Sequence, residues 1–187
     1  MTPRARSGFT LVEMLIVIVV MGLGMMIMVP RLRVSEQTKA RAAASLLAAD
    51  LEAARSKAMA YRAIVRVTFD QAGSTYTGYL DFNRDGVITQ STAERDSLHL
   101  YGGTRTLPNA VNFGRAAQPD ITDFAGAGNI TFPTPQINFD ARGLTTPFGT
   151  RGVIYVRRPG DNTAVAAVTV SGAGGIRIWT SEGGTWR

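Results

Sequence analysis

The chain has 187 residues, 45% of them hydrophobic and 18% charged, with a formal net charge of +6. It has no cysteine, which excludes a disulfide framework, a thiol nucleophile and thiolate metal ligation. Beyond an apolar run near the N-terminus, roughly 155 residues remain, enough for one domain of ordinary size whose Gly, Thr and Arg content suits short strands and turns.

The first predicted element is a membrane-length helix. From Phe9 to Val29 there are 21 residues, and Glu13 is the only charged one. At ~1.5 Å per residue such a helix spans about 31 Å, the hydrocarbon thickness of a bilayer. A secretory signal would have a shorter apolar core followed by small residues in an A-x-A arrangement. Here the core ends in MIMVPRLRV and the first Ala after Ala5 is Ala40, so cleavage behind the run is not expected. Gly8 sits ahead of the run instead, and a cut there removes MTPRARSG while leaving Phe9 at the head of an intact helix.

An ionised Glu13 costs ~2.5–3.5 kcal/mol at the bilayer centre and less near an interface. The residues alone leave two readings: a carboxylate close enough to the interface to stay hydrated, or one neutralised by a cationic partner. Pro30 removes a helical hydrogen bond and crowds the preceding turn, while Gly22 and Gly24 weaken the same region. Pro30 therefore marks either a plain boundary between membrane and exterior or a point of local melting.

The basic leader, Gly8 and the following FTLVEMLIVIVV, with Glu13 fifth after the Gly, resemble the type IV pilin and pseudopilin family. That resemblance implies cleavage after Gly8 by a membrane-embedded prepilin peptidase and N-methylation of Phe9. It implies that Glu13 pairs with the terminal amine of a neighbouring subunit entering a filament, a low-dielectric pair that favours registry more than raw stability. For Pro30 it implies local extension when subunits pack.

Residues 35–62 predict a second helix. Ala43, Leu47, Leu51, Ala54, Ala58 and Tyr61 recur every three or four positions as one apolar stripe, and the alanines favour close packing. The membrane helix is expected to continue outward as a stalk whose second half lies on a globular domain. Beyond Tyr61 the period changes. AIVRVTF (63–69), STYTGYLDF (74–82), SLHLY (97–101), INFD (137–140), GVIYVRR (152–158), AVAAVTVSG (164–172) and GIRIWT (175–180) predict strands. Residues 114–135 predict a loop-rich insertion. Helix followed by short strands gives an α+β fold with antiparallel sheet packed on the helix.

INFDARG, GVIYVRR, AVAAVTVS and the closing GGIRIW resemble the GspH/FimT-type domain of minor pseudopilins and minor pilins. The expected organisation is a leader at 1–8, a transmembrane helix at 9–29, a stalk helix at 30–62 and a β-sheet domain at 63–187.

Little in the chain suggests catalysis. The lone histidine, His99, is expected on strand SLHLY beside Ser97 and Tyr101, with no Ser or Cys partner in view. AGAGN and GAGGIR lack the Lys and Ser/Thr of a phosphate loop and read as turns. DFNRDGVITQST (81–92) matches the first half of an EF-hand loop through Asp81, Asn83, Asp85 and Gly86, with Ile88 at the apolar position. Its twelfth residue is Thr92 rather than Glu, and Glu94 falls two residues late. The stretch is expected between strands, where Asn, Asp and Gly also make an ordinary turn, so a tight hairpin loop and a weak calcium site both stand. Arg157, Arg158 and Arg177, with Trp179 and Trp186, could line a basic and aromatic surface for single-stranded nucleic acid or a solvated strand edge.

The expectation is therefore a non-enzymatic structural subunit without cofactor, anchored in a bacterial inner membrane with its domain in the periplasm or exterior. Its partners would be other pilins or pseudopilins, prepilin peptidase and the inner-membrane assembly platform. The filament would be a type IV pilus or a type II secretion pseudopilus, for the GspH/FimT-type domain is shared by both and Pro30 leans towards the pilus. The alternatives are a DNA-binding minor pilin acting in DNA uptake and an anchored hydrolase of unrelated fold, the latter without a visible nucleophile, base or metal set.

Overall fold

Thr10 opens the first helix of the computed structural model, which describes residues 10–28, 35–98, 103–108 and 110–187. Its hydroxyl accepts the Glu13 N–H at 3.2 Å and its carbonyl accepts the Met14 N–H at 3.2 Å, the pattern of an N-cap. Helix α1 then runs Leu11–Met28. Glu13 lies in its first turn, where the partial positive charge of the helix terminus favours an acid. Among the described residues no helix is long and apolar enough to cross a membrane. The 18 residues of α1 reach about 27 Å; the 21-residue run read from the sequence ends at Phe9 and Val29, both outside the described residues, as is Pro30.

The chain divides between Ser35 and Glu36 into two compact units. The second begins with helix α2, Glu36–Tyr61. Ala40, Ala43, Ala44, Leu47, Ala48, Leu51, Ala54 and Ala58 are all buried, so the helix is covered from its first turns onward and not over its second half alone. The predicted stripe holds except at Tyr61, which is 39% exposed at the helix end. There Arg62 adopts a left-handed φ of 52°, and the Ala63 N–H returns to the Ala58 carbonyl at 3.2 Å, closing the helix by a six-residue ring.

Among the described residues nine strands follow, every pair antiparallel. Strands β1 (Val65–Asp70), β2 (Thr75–Leu80), β3 (Thr104–Thr106) and β5 (Gln136–Phe139) form one sheet in the order β3-β2-β1-β5. Strands β4 (Asn112–Phe113), β6 (Gly152–Arg157), β7 (Val165–Val170), β8 (Ile176–Glu182) and β9 (Thr185–Trp186) form the other in chain order. Helix α2 packs on β1 and β5 of the first sheet and on β6, β7 and β8 of the second, so its alanine stripe closes one core shared by both. Phe69 and Phe113 join the sheets edge to face at 5.9 Å. Asp50 of α2 ties the helix to the outer strands, accepting the Tyr76 hydroxyl and, at 3.0 and 3.2 Å, an Arg105 N–H.

Every residue of β7 is buried, as are five of the six in β6, so both faces of the second sheet are covered. Residues 114–135 contain no strand or helix, only an isolated bridge from Ile130 to Ile154, and they form the second cover. Ile121 enters a smaller core with Val153, Tyr155 and Ala167, flanked by Phe124, Trp179 and Trp186.

One predicted strand is overturned at its first two residues, the ones described. Ser97 and Leu98 of SLHLY end helix α3, Thr92–Leu98, while His99 and Tyr101 lie outside the described residues. The reason is a capping box at Ser91. Its hydroxyl accepts the Glu94 N–H at 3.3 Å, and Glu94 Oε2 accepts the Ser91 N–H at 2.9 Å. Residues 81–92 consequently join a strand to a helix, not strand to strand.

Candidate functional site

The sequence places its chemistry in three regions, and the structure treats them differently. The cleavage and methylation pair, Gly8 and Phe9, lies outside the described residues. Glu13 does not. It is exposed on the first turn of α1, with Leu11, Val12, Met14, Leu15, Ile16 and Val17 around it between 43 and 82% exposed. Apolar side chains thus surround the helix on all sides, the pattern of an element made to be enclosed by something else.

The second region is the 81–92 loop. Asp81 is 2% exposed, and its Oδ2 accepts the Gly86 N–H at 2.9 Å, closing a tight turn in which Gly86 takes φ +81°. A side chain at that φ would be strained. Asp85 Oδ1 accepts the Val87 N–H at 2.8 Å, and its Oδ2 accepts an Asn83 amide N–H at 2.8 Å. Asp81 Oδ1 is buried without a hydrogen-bond partner among the described residues. Glu94, which the motif reading placed too late in the loop, serves the loop in another way. Besides the Ser91 N–H, its carboxylate takes the Thr89 N–H at 3.1 Å, the Thr89 hydroxyl at 2.9 Å and the Ser91 hydroxyl at 3.2 Å. Burial alone would raise the Glu94 pKa, but these hydrogen bonds outweigh it and hold the carboxyl below the usual range. The signal was present in the sequence as S-x-x-E.

The third region is the arginine group. Arg157 is the last residue of β6 and Arg158 follows it. Arg158 reaches back to Glu36 at 3.0 Å and to the Ala110 carbonyl at 3.4 Å. Arg157 packs its stem on Gly114 and donates to Asn162 Oδ1 at 3.0 Å. Arg177 lies two strands away on β8, paired with Thr169 in the middle of the sheet, and is exposed. Trp179 donates its indole N–H to Thr169 Oγ1 at 3.0 Å, and Trp186 donates to the Pro119 carbonyl at 2.9 Å while packing on Tyr155. The register puts Arg157 and Arg177 on the same face of the second sheet, opposite Val165 and Thr169 of β7 and so apart along it, while Arg158 turns to Glu36 and the two tryptophans serve the smaller core. Missed by the sequence reading was Arg115, which lies 5.2 Å over the Tyr155 ring and pairs with Asp120 at 2.8 Å, fixing the 114–135 segment to the sheet.

No three His, Cys, Asp or Glu side chains converge as a metal centre among the described residues. The cavities are small and open, such as one of about 290 Å³ bordered by Tyr61, Leu80, Asp81, Phe82, Arg84 and Ser97.

The described chain thus combines an alanine-rich helix laid across two antiparallel sheets with a separate apolar helix that bears one acid. Residues 43–174 match the family described as Type II transport protein GspH, and residues 3–29 match the prokaryotic N-terminal methylation motif. The chain belongs to the GspH family and is a minor pseudopilin or minor pilin of type II secretion or type IV pili. Among solved structures it is similar to the type IV minor pilin FimU of Pseudomonas aeruginosa, at 17% identity over 81% of this chain and 95% of that one, with a TM-score of 0.49. It is also similar to the minor pseudopilin EpsH from the type II secretion system of Vibrio cholerae, at 18% identity over 81% of this chain and 99% of that one, with a TM-score of 0.49. No curated protein matches it.

Proposed function

We propose that the chain is a non-enzymatic filament subunit held in the inner membrane by residues 9–29 until it is assembled. Prepilin peptidase cuts between Gly8 and Phe9 and the new Phe9 amine is methylated. Glu13 then meets the terminal amine of the adjacent subunit as α1 leaves lipid for the filament. The observation that carries this reading is the surface of α1, apolar on every side with one acid in the first turn, within a segment that matches the methylation motif. Lipid and neighbouring α1 helices are both surroundings that such a helix tolerates, because its backbone is satisfied internally. The Thr10 cap and the helix terminus lower the cost of holding a carboxylate there, and the cationic terminal amine of the adjacent subunit supplies the remainder. The sheet domain remains outside the membrane and contacts the other subunits and the assembly platform.

The test is mass spectrometry of the N-terminus of the chain taken from membranes with and without prepilin peptidase. A product beginning at methylated Phe9, seen only with the peptidase, is expected. Retention of Met1 to Gly8 in peptidase-positive cells would overturn the reading.

A further inference from the structure

The Asp81 carboxylate sits in an arrangement that the filament reading does not use. A twelve-residue calcium loop takes oxygen ligands from positions 1, 3, 5 and 7, with glycine at position 6 to make the sharp turn. Counting from Asp81, the first three are Asp81, Asn83 and Asp85; Gly86 and Val87 follow. Sequence alone cannot separate this from an ordinary Asx-rich turn. The structure adds Asp81 Oδ1, which is buried and unpartnered among the described residues although its sister oxygen is held by the Gly86 N–H. A buried carboxylate oxygen left without a donor costs about 1–3 kcal/mol or more, and a cation is the partner that its charge and position ask for.

The guanidiniums of Arg84 and Arg66 are engaged elsewhere. Arg84 donates to the Tyr61 carbonyl at 3.1 Å, and Arg66 donates to Asn138 Oδ1 at 2.9 Å and to the Ile88 carbonyl at 3.1 Å. Asp140, which borders a cavity of about 440 Å³ together with Asp81, is saturated by the Arg142 side chain and by the Arg142 and Leu144 N–H groups. Asp81, unlike Asp140, thus keeps an oxygen without a hydrogen-bond partner among the described residues.

We propose that residues 81–92 form a calcium site in which Asp81 Oδ1, the Asn83 amide oxygen, an Asp85 carboxylate oxygen and the Val87 carbonyl bind the cation, with water completing the shell. Asn83 is exposed, and turning its amide over exchanges the N–H now given to Asp85 for an oxygen aimed at the cation. Two carboxylates offset the charge of one Ca²⁺. The bidentate position twelve is Thr92, and Glu94 is committed to Thr89 and Ser91, so one strong ligand is lacking. That deficit puts the affinity in the range of extracellular modules, a Kd on the order of 10⁻⁴–10⁻³ M. The smaller Mg²⁺, which demands near-ideal octahedral geometry and gives up water reluctantly, fits less well. The proposal is independent of cleavage at Gly8 and of filament assembly.

The experiment is a CaCl₂ titration of the full-length chain in detergent, followed by the Gly86 and Val87 amide signals in proton–nitrogen correlation spectra, with MgCl₂ in a parallel arm. Saturable shifts of those amides are expected, with a Kd in the stated range for Ca²⁺ and at least tenfold weaker binding of Mg²⁺. Asp81→Asn should weaken Ca²⁺ binding at least tenfold. Asn83→Ala, at an exposed position outside the core, should weaken it severalfold and leave the rest of the spectrum unchanged, so a folding defect in the first variant does not decide the outcome. Asp96→Asn, an exposed acid on α3 beyond the loop, should bind as wild type does. The absence of saturation by 10 mM Ca²⁺ (about tenfold above the weak end of the range), equal affinity for Mg²⁺, unchanged affinity in Asn83→Ala, or an equal loss in Asp96→Asn would each overturn the proposal.

Discussion

Replacing Glu94 by Gln tests how the 81–92 loop and α3 are held. The carboxylate accepts four hydrogen bonds, two from the Thr89 and Ser91 main chain and two from their hydroxyls, and the side chain is 3% exposed. A glutamine keeps one acceptor oxygen, so it can serve the Thr89 N–H or the Ser91 N–H but not both. The hydroxyls can rotate and accept from the new amide; the main-chain N–H cannot. An orphaned N–H costs about 1–3 kcal/mol when dry. Thr89 and Ser91 are themselves exposed, so water repairs part of the loss and the expected destabilisation at neutral pH is about 1–2 kcal/mol. The sign of the pH effect follows from the depressed carboxyl. Its stabilisation is complete above the ordinary glutamate value of about 4.3 and is lost as pH falls through the lower folded value. Wild type should therefore approach the variant on acidification, because Glu94→Gln has no such contribution to lose. Urea unfolding of the full-length chain in detergent, followed by the fluorescence of Trp179 and Trp186, measures both effects. A difference below about 0.5 kcal/mol at neutral pH, the size of an ordinary surface change, or a gap that does not narrow in acid, would refute the reasoning.

Two further outcomes are expected in the same assay. Arg62→Gly relieves a left-handed residue at the end of α2 and should stabilise the domain by about 0.5–1 kcal/mol; a loss of stability would mean that the Arg62 side chain contributes more than its backbone strain costs. Asp50→Ala strips the acceptor shared by the Tyr76 hydroxyl and Arg105, and should cost about 2–4 kcal/mol, with Asp50→Asn intermediate because it can still accept from the tyrosine.

The sequence by itself determined the elements whose signals are local or periodic. The alanine and leucine stripe of α2, the alternation in β1 and the apolar runs of β6 and β7 each follow from how side chains distribute around a helix or across a strand. The apolar runs of β6 and β7 prove to be buried on both faces of the second sheet. They carried no information about the cover, because residues 114–135 have no period of their own and are held by scattered long-range contacts such as Arg115 on Tyr155 and Trp186 on the Pro119 carbonyl. SLHLY read as a strand because a short apolar alternation is ambiguous, and a cap six residues before Ser97 settled Ser97 and Leu98 as the end of a helix. The motif at Asp81 was visible in the residue order. Only the structure decided that one oxygen of that carboxylate is taken by the Gly86 N–H and the other is buried without a donor among the described residues, since burial depends on neighbours distant in the chain.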